Sequence, residues 1–175
     1  ITEEYKIITA DNTVKWVWEQ GIPIYNEAGE VEALEGLIID IDDRKILEKR
    51  LFDERSLMRT LIDNIPDSIY AKEAQLRKTL ANKAEITFVG LQSENEIIGK
   101  TDYDLYPPEV AERLLNGDLE VINTGKALIN REEVIVDKNG NKRWLLTSKI
   151  PLRNNDDEIT GIVGIGRDIT IRTQT

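Results

Sequence analysis

Cysteine and histidine are both absent from the 175-residue sequence. Structural zinc sites need cysteine or histidine ligands, iron–sulfur clusters need cysteine thiolates, and haem usually takes an axial histidine or cysteine. These sites are therefore excluded within the chain, as are Ser-His-Asp and Cys-His catalysis and a phospho-accepting histidine. Carboxylates, lysine, tyrosine and serine remain, and no nucleophile–base pair can be recognised among them. We predict that the chain is not an enzyme.

Positive charge and long apolar runs are also scarce. The chain has 23 Lys and Arg against 33 Asp and Glu, a net charge of −10. Nucleic acids and anionic membranes attract basic surfaces, so we expect neither as a partner. No run approaches the roughly 18 apolar residues of a membrane helix, and residues 1–4 lack the features of a signal peptide. We expect a cytoplasmic location, within a longer protein that would carry any membrane anchor elsewhere.

The acidic side chains do not form a recognisable metal motif. Three clusters stand out, at Asp40/Asp42/Asp43, at Asp102/Asp104 and at Asp156-Asp157-Glu158. None has the alternating Asp/Asn pattern followed by glycine that a calcium loop requires. We expect these clusters to be solvated turns, and we predict no bound metal.

The chain repeats itself without a gap at an offset of 128 residues, which carries Trp16 onto Trp144. Other matches are Ile22-Pro23 with Ile150-Pro151, Gly36 with Gly164, and Asp40-Ile41 with Asp168-Ile169. A constant spacing over roughly forty residues indicates two copies of one supersecondary unit. Each copy is predicted to form three strands, at about 3–9, 14–25 and 30–41 and at about 132–137, 143–153 and 159–169.

A helix is predicted between the two copies, from Asp43 to Ile65. Leu47, Leu51, Met58 and Leu61 recur along it with the spacing of a coiled-coil seam. Two interpretations remain open, and both can hold along different parts of the helix. The helix either covers a core as an ordinary amphipathic helix, or it is a dimer-forming connector that passes motion between domains.

Only the second copy has a matching N-terminal half. Strands are predicted at 68–72 and 77–82, and a short helix at 83–90. Ser93 is predicted to open a second short helix through a capping box. A longer helix is predicted from Pro107-Pro108 to about residue 123, ended by Gly125. Residues 101–106 are predicted to be an irregular turn. Leu76 lies in the first hairpin turn, where a positive φ would strain it. The order β-β-α-α-α-β-β-β predicts an α+β domain with an antiparallel sheet and helices on one face.

Several motifs occur in order over about 110 residues. They are Asn64–Tyr70 (NIPDSIY), Leu80–Ala84 (LANKA), Ile98–Pro107 (IGKTDYDLYP), Asp137–Trp144 (DKNGNKRW) and Gly164–Thr170 (GIGRDIT). Together they resemble a PAS domain of the PAS/PAC kind. The resemblance divides the chain into the last three strands of a preceding PAS domain (1–42), a connector helix (43–65), a complete five-stranded PAS domain (66–172) and the start of an exit linker (173–175).

The resemblance implies a non-catalytic sensor module of a larger signalling protein. Such domains hold a small molecule between sheet and helices, or act without one as dimerisation and relay modules. They usually precede a histidine kinase core or a cyclic-dinucleotide enzyme, and Asp168-Ile169-Thr170 would couple the last strand to an exit helix. A Cys–flavin adduct is excluded because the turn before the long helix has no cysteine. The ligand is predicted to be an unknown small molecule, or none.

Strand alternation sorts the side chains of the second copy by face. Leu145, Thr147 and Lys149 share one face, and by resemblance this face meets the helices. The candidate pocket residues are Asn82, Glu133, Ile135, Leu145, Thr147, Lys149, Gly164 and Gly166. The two glycines either leave room for a ligand or relieve crowding in a packed interior. Lys149 and Glu133 either pair with each other, lie solvated at the rim, or bind a charged ligand, and Asn82 either touches a ligand or fixes a local backbone bond.

The opposite face carries an apolar stripe that needs a cover, from the connector helix or from a second subunit. We therefore predict a homodimer through Leu47, Leu51, Met58, Leu61, Trp144, Leu146 and Ile150, together with a downstream output domain. In the first copy the equivalent stripe is Trp16, Trp18 and Ile22. That copy lacks helices for its inner face, so we expect a second chain or the connector helix to cover it.

Overall fold

The computed structural model describes residues 1–137 and 139–173, without the side chains of residues 172 and 173. The chain forms two compact units, Ile1–Leu57 and a second unit that begins at Met58. Lys138 in the predicted hairpin turn and residues 174 and 175 of the predicted exit linker lie outside the described residues.

The first unit is a three-stranded antiparallel sheet with the order β1-β2-β3, made of Thr2–Ile8, Val14–Tyr25 and Val31–Asp40. The buried apolar residues of its described part are Val17 and Ile41. Every residue of β3 is exposed, and Leu34 reaches 76 %. This agrees with the expectation that the unit has no helices of its own to cover the sheet. What covers it in the parent protein stays a prediction.

Helix α1 runs from Asp42 to Asn64 and contains no buried residue. The interpretation as a helix that covers a core is therefore wrong for this chain. Leu47, Leu51, Met58 and Leu61 are 54–58 % exposed. In the part of α1 that belongs to the second unit, Arg59, Ile62 and Asp63 are half-buried.

The second unit has the predicted α+β architecture, a five-stranded antiparallel sheet with the order β5-β4-β8-β7-β6. Its elements are β4 (Ser68–Glu73), β5 (Lys78–Ala81), α2 (Lys83–Val89), a 3₁₀ turn (Glu94–Glu96), α3 (Asp102–Leu105), α4 (Pro108–Thr124), β6 (Leu128–Val136), β7 (Lys142–Arg153), β8 (Ile159–Asp168) and α5 (Thr170–Thr173).

The core of this unit lies between one face of the sheet and the helices. One apolar cluster joins α4 to β6 and β7 through Val110, Leu114, Ile135 and Leu145. A second joins β5, α2 and the 3₁₀ turn through Ala81, Val89 and Ile97, and a third joins α4, β6 and β8 through Val121, Leu128 and Ile162. Burial alternates along β7, where Leu145, Thr147 and Lys149 are buried while Trp144 and Ile150 are exposed.

The local signals explain where the elements begin and end. Ser93 and Glu96 form the predicted capping box, and Gly125 ends α4 with φ +66°. Leu76 adopts the predicted left-handed backbone, with φ +61°. Residues 101–106 differ from the prediction, because Thr101 and Asp104 cap each other and close one helical turn.

Strand β6 begins at Leu128, four positions before its predicted start. The register with β7 shifts between Leu128 and Arg131, and Asn130 has a φ of +53°. This irregularity interrupts the apolar–polar alternation at the start of the strand, which hid the first residues of β6 from the sequence pattern.

Candidate functional site

Three charged side chains meet beneath the sheet with almost no exposure. Asp118 of α4 accepts hydrogen bonds from Lys72 of β4 (2.5 Å) and from Lys149 of β7 (2.6 Å). Lys149 also donates to the Leu114 carbonyl oxygen at 2.8 Å, and Lys72 donates to Asp102 at 2.5 Å. The side chains of Lys72, Lys149 and Asp118 are 0–1 % exposed. This group ties one helix to two strands.

A separate buried ion pair joins Lys78 of β5 to Glu85 of α2. The Lys78 ammonium lies 4.0 Å from the centre of the Tyr70 ring and 5.9 Å from that of Tyr106. Two aromatic rings therefore supply cation–π contacts to a desolvated ammonium group, in addition to its carboxylate partner.

The charges of this buried set balance, because three lysines meet three carboxylates. A buried charge is costly unless it is paired and hydrogen-bonded, and each member of the set has such a partner. Burial by itself lowers the pKa of Lys72, but the carboxylates of Asp102 and Asp118 outweigh it and hold that pKa above its usual range. Burial also raises the pKa of Tyr70 and of Tyr106 well above the usual range.

Several predicted pocket residues have structural partners. Asn82 is fully buried and caps α2: its side-chain oxygen accepts from the backbone N–H groups of Ile69 and Glu85, and its amide nitrogen donates to the carbonyl oxygens of Ile62 and Asp67. The predicted pairing of Lys149 with Glu133 is wrong, and so is its placement at a solvated rim. Lys149 bonds Asp118, which projects from α4 on the other side of the core.

Gly164 leaves no room for a ligand, because the Tyr70 ring occupies the space where its side chain would lie. Gly166 differs, since a Cβ atom there would meet Leu145 and Ser68 only at ordinary contact distances of 3.7 and 3.8 Å. The inner cavity next to Gly166 has a volume of 20 Å³. A single water needs about 10–15 Å³, so the cavity holds little more than one water.

Thr147, Leu145 and Ile135 line this inner cavity, whereas half-buried Glu133 lines a separate groove of 230 Å³ beside α4. Among the described residues, the Thr147 hydroxyl and one carboxylate oxygen of Glu133 are buried without a hydrogen-bond partner. An open cleft of 570 Å³ lies between α2 and the ends of β7 and β8. The cleft and the inner cavity share Ser68, Phe88, Leu145 and Gly166 in their walls.

Sequence reasoning missed five members of the buried charged set: Lys72, Lys78, Glu85, Asp102 and Asp118. A signal existed for two of them. Lys72 follows Ser68 and Tyr70 at the inward positions of β4, and Asp118 lies in the apolar stripe of α4 between Leu114 and Val121. Because Lys72 and Asp118 each stand at a position where the pattern of their element calls for an apolar side chain, the two residues together indicate a buried ion pair.

The end of β8 is locked to β7 through the residues that lead into α5. Asp168 accepts hydrogen bonds from the backbone N–H (2.9 Å) and the hydroxyl (2.5 Å) of Thr170. The Thr170 hydroxyl accepts from the Trp144 backbone N–H at 3.0 Å, and the Ile169 N–H donates to the Trp144 carbonyl oxygen at 2.8 Å. Arg143 contacts Asp168 at 3.3 Å. These bonds join the start of α5 to both β7 and β8.

The first unit contains the same lock where β3 leads into α1. Asp40 accepts from the Asp42 backbone N–H at 3.0 Å, and Asp42 accepts from the Trp16 N–H at 2.7 Å. The Ile41 N–H donates to the Trp16 carbonyl oxygen at 2.9 Å, and Lys15 pairs with Asp40 at 2.5 Å. The repeat thus extends from spacing to hydrogen bonding, with Asp42 in place of Thr170 and Lys15 in place of Arg143.

Comparison with known families now decides the identity of the second unit. A family model described as the PAS fold matches residues 62–174. The chain belongs to the PAS family. The PAS domain of Bordetella pertussis BvgS has the same fold, with 26 % identity and a TM-score of 0.56 over 73 % of this chain and 93 % of that domain.

The PAS domain is also homologous to those of sensor histidine kinases. The methanogenesis regulatory histidine kinase FilI of Methanothrix harundinacea is 26 % identical over 149 residues, which make up 85 % of this chain and 16 % of FilI. A diguanylate cyclase of Vibrio cholerae is 24 % identical over 125 residues, which make up 70 % of this chain and 39 % of that enzyme. The chain therefore spans well under half the length of these relatives.

Two further findings apply to the described residues. No helix among them is long and apolar enough to cross a membrane. No cluster of three or more acidic side chains among them is arranged to hold a metal ion. That the chain binds no metal, and that its ligand is an unknown small molecule or none, stay predictions.

The PAS domain is expected to lose stability in alkali. Lys72, Tyr70 and Tyr106 have raised pKa values in the folded state, so the native state holds protons that the unfolded state releases. Their contribution is fully present below about pH 10 and falls as the pH rises through the raised values. Urea unfolding across this range, with phenolate absorbance followed in parallel, checks the prediction. Full phenolate absorbance in the folded state would contradict it.

Proposed function

We propose that this chain is a non-catalytic sensor and relay region of a sensor histidine kinase, and that it passes conformational change along its helices within a homodimer. The observation that carries the proposal is the strand-to-helix lock, which occurs once in each unit and joins the last strand to the helix that follows. FilI and BvgS support the parent class, because both are sensor proteins that contain PAS homologues.

The interior favours relay over storage of an organic ligand. Its inner cavity of 20 Å³ lies among paired charges and aromatic rings that already contact one another. A ligand of ordinary size would have to displace Tyr70 or Phe88. An interior whose ion pairs join the sheet to the helices instead transmits movement between them, since neither the strands nor the helices can shift without breaking an ion pair.

Helix α1 supplies the proposed dimer contact. Its apolar stripe of Leu47, Leu51, Met58 and Leu61 stays exposed. These residues follow one another at steps of four, seven and three residues, with Glu54 at the intervening seam position, which is the spacing that faces a partner helix. Burial of such a stripe against a second copy contributes roughly 25 cal/mol per Å² of apolar surface, and the entropy lost on association offsets part of this gain. The exposed Trp144 and Ile150, with half-buried Leu146, offer a second apolar surface on the outer face of the PAS sheet.

Lysine at two stripe positions, Leu51→Lys with Leu61→Lys, is expected to raise the dimer dissociation constant at least about 100-fold, because a buried unpaired ammonium opposes association. Sedimentation equilibrium over a concentration series measures this. The matched control, Asp53→Lys, adds a lysine to the same helix outside the stripe and is expected to leave the dimer intact. A wild-type monomer, or equal weakening by the control, would refute the dimer contact.

A cyclic-dinucleotide enzyme is the second candidate parent, and the match to a diguanylate cyclase is the observation that favours it. Incubation of the parent protein with ATP and with GTP separates the two. A histidine kinase forms acid-labile phosphohistidine from ATP, whereas the alternative converts GTP into a cyclic dinucleotide.

A further inference from the structure

The last turns of α1 are held to the PAS domain through one arginine. The guanidinium group of Arg59 bonds Asp63 (3.0 Å) in its own helix, both carboxylate oxygens of Glu94 (3.0 Å each), and the carbonyl oxygen of Ala81 (3.2 Å). Glu94 in turn accepts the Ala81 backbone N–H at 2.9 Å. Both backbone groups of Ala81, the last residue of β5, are therefore engaged by this cluster.

The two residues after Ala81 bond the same part of α1. The Asn82 side chain donates to the Ile62 carbonyl oxygen at 2.7 Å, and the Lys83 backbone N–H donates to Asp63 at 3.0 Å. We call Ala81-Asn82-Lys83 the junction, because it joins β5 to α2. Every residue of the junction is thus hydrogen-bonded to α1 or to the arginine on it.

These bonds are polar, and they leave the apolar stripe free. No α1 residue is fully buried, and Ile62 is the half-buried apolar residue in the part of the helix that belongs to the second unit. At 100° per residue, Arg59 and Asp63 lie about 100–160° around the helix from Met58 and Leu61. The helix can therefore contact the junction with one face and a second copy of the chain with the roughly opposite face.

The inner side of the junction is pinned by the Lys78–Glu85 ion pair. Lys78 lies three residues before Ala81 on β5, and Glu85 lies on the first turn of α2, where its backbone N–H is capped by Asn82. Both charged side chains are 2 % exposed and line the inner cavity. The Lys78–Glu85 ion pair in the interior and the hydrogen bonds of Arg59 on α1 thus hold the junction from its two sides.

We propose that the junction is a lever that couples the Lys78–Glu85 pair in the interior to the position of helix α1, with Arg59 as the positioning residue. A change that separates Lys78 from Glu85 tilts α2 about the junction, and this weakens the bonds that hold Arg59 and Asp63. The dimer stripe on the roughly opposite face of α1 then changes its orientation. The proposal rests on the relay function and names the route by which the interior reaches the helix.

Hydrogen exchange of the whole chain, resolved by mass spectrometry, tests the lever. The double variant Lys78→Met with Glu85→Met removes the ion pair and keeps the interior filled, since apolar replacement of both partners is often close to neutral. We expect exchange over residues 59–65 to accelerate about tenfold, as for the loss of one charged hydrogen bond. Exchange in α4 and β7 is expected to stay unchanged. The control Thr147→Val alters the same cavity without touching the junction.

Reciprocity supplies the second half of the test, because a coupling between two sites acts in both directions. Arg59→Gln is expected to accelerate exchange in α2 about tenfold, and Arg59→Lys to do so less, since lysine cannot engage several acceptors at once. Arg131→Gln, which breaks an exposed ion pair with Glu120, is the matched control. This half stands even where the double variant does not fold.

Unchanged exchange over residues 59–65 in the folded double variant, or unchanged α2 exchange in Arg59→Gln, would overturn the lever. The dimer dissociation constant distinguishes this failure from failure of the relay function. A stable dimer with no exchange coupling would reject the lever alone, whereas a monomeric chain would reject the proposed relay.

Discussion

Replacing Asp118 by asparagine is expected to lower the free energy of unfolding by about 3–5 kcal/mol, because it leaves the buried ammonium of Lys149 without a carboxylate partner. Lys72 keeps Asp102, but Lys149 keeps only the Leu114 carbonyl oxygen. Asparagine has nearly the shape of aspartate, so the loss reports charge rather than packing. Urea or guanidinium unfolding at neutral pH measures the change.

Removal of Asp118 together with Lys149 provides the control. In the variant Lys149→Met with Asp118→Leu, Lys72 and Asp102 still pair with each other and no unpaired charge remains, so most of the lost stability is expected to return. A second comparison is Asp102→Asn, which leaves Lys72 with Asp118 and is expected to cost less. Equal stability of Asp118→Asn and wild type would show that the buried ion pairs do not hold α4 to the sheet.

Replacing Gly164 by alanine is expected to destabilise the PAS domain by about 1–3 kcal/mol, the usual cost of overpacking a core. The added methyl group would overlap the Tyr70 ring, which lies directly over the glycine. The ring would have to move toward Lys78, whose ammonium lies 4.0 Å from its centre. Thermal unfolding of the purified variant measures the cost.

Gly166 is the matched control, two residues along the same face of β8. A methyl group there meets its nearest neighbours at 3.7 and 3.8 Å, so Gly166→Ala is expected to stay within about 0.5 kcal/mol of wild type. Combining Gly164→Ala with Tyr70→Ala is expected to be less costly than the sum of the two single changes. If Gly166→Ala cost as much as Gly164→Ala, the close approach of Tyr70 would not be the cause.

Much of the fold is predictable because its signals are local. The repeat that carries Trp16 onto Trp144 fixes three strands in each copy, and strand alternation places Leu145, Thr147 and Lys149 on one face. The capping box at Ser93 and the left-handed residues Gly125 and Leu76 follow from chemistry within a few residues. The start of β6 and the turn of α3 were missed, because each depends on a register shift or a mutual cap that periodicity does not reveal.

The partners of buried charges could not be predicted in the same way. Strand alternation predicts that Lys149 lies on the inner face. Its partner Asp118 lies 31 residues away on helix α4, and the alternation along β7 does not specify how that helix is rotated about its axis. Glu133, which shares that face on the neighbouring strand, was therefore a reasonable but wrong partner. The filling of the space at Gly164 by Tyr70 also depends on a tertiary contact between β4 and β8.

The arrangement of buried charges supports the proposed relay. Lys72, Lys78 and Lys149 lie on three different strands, and their carboxylate partners lie on α2, α3 and α4. Each ion pair therefore joins a strand to a helix. Under the proposed relay, a displacement of the PAS sheet would strain these helices, and the lock between β8 and α5 would carry it to the segment that follows.

Native mass spectrometry of the freshly purified chain, followed by the same sample under denaturing conditions, tests the central claim most directly. The account predicts the mass of a dimer with no excess over twice the mass of the chain, because the interior is filled by its own side chains. A mass excess that disappears on denaturation would contradict the packed interior and show that the domain holds a ligand. A monomer without an excess would contradict relay through a dimer.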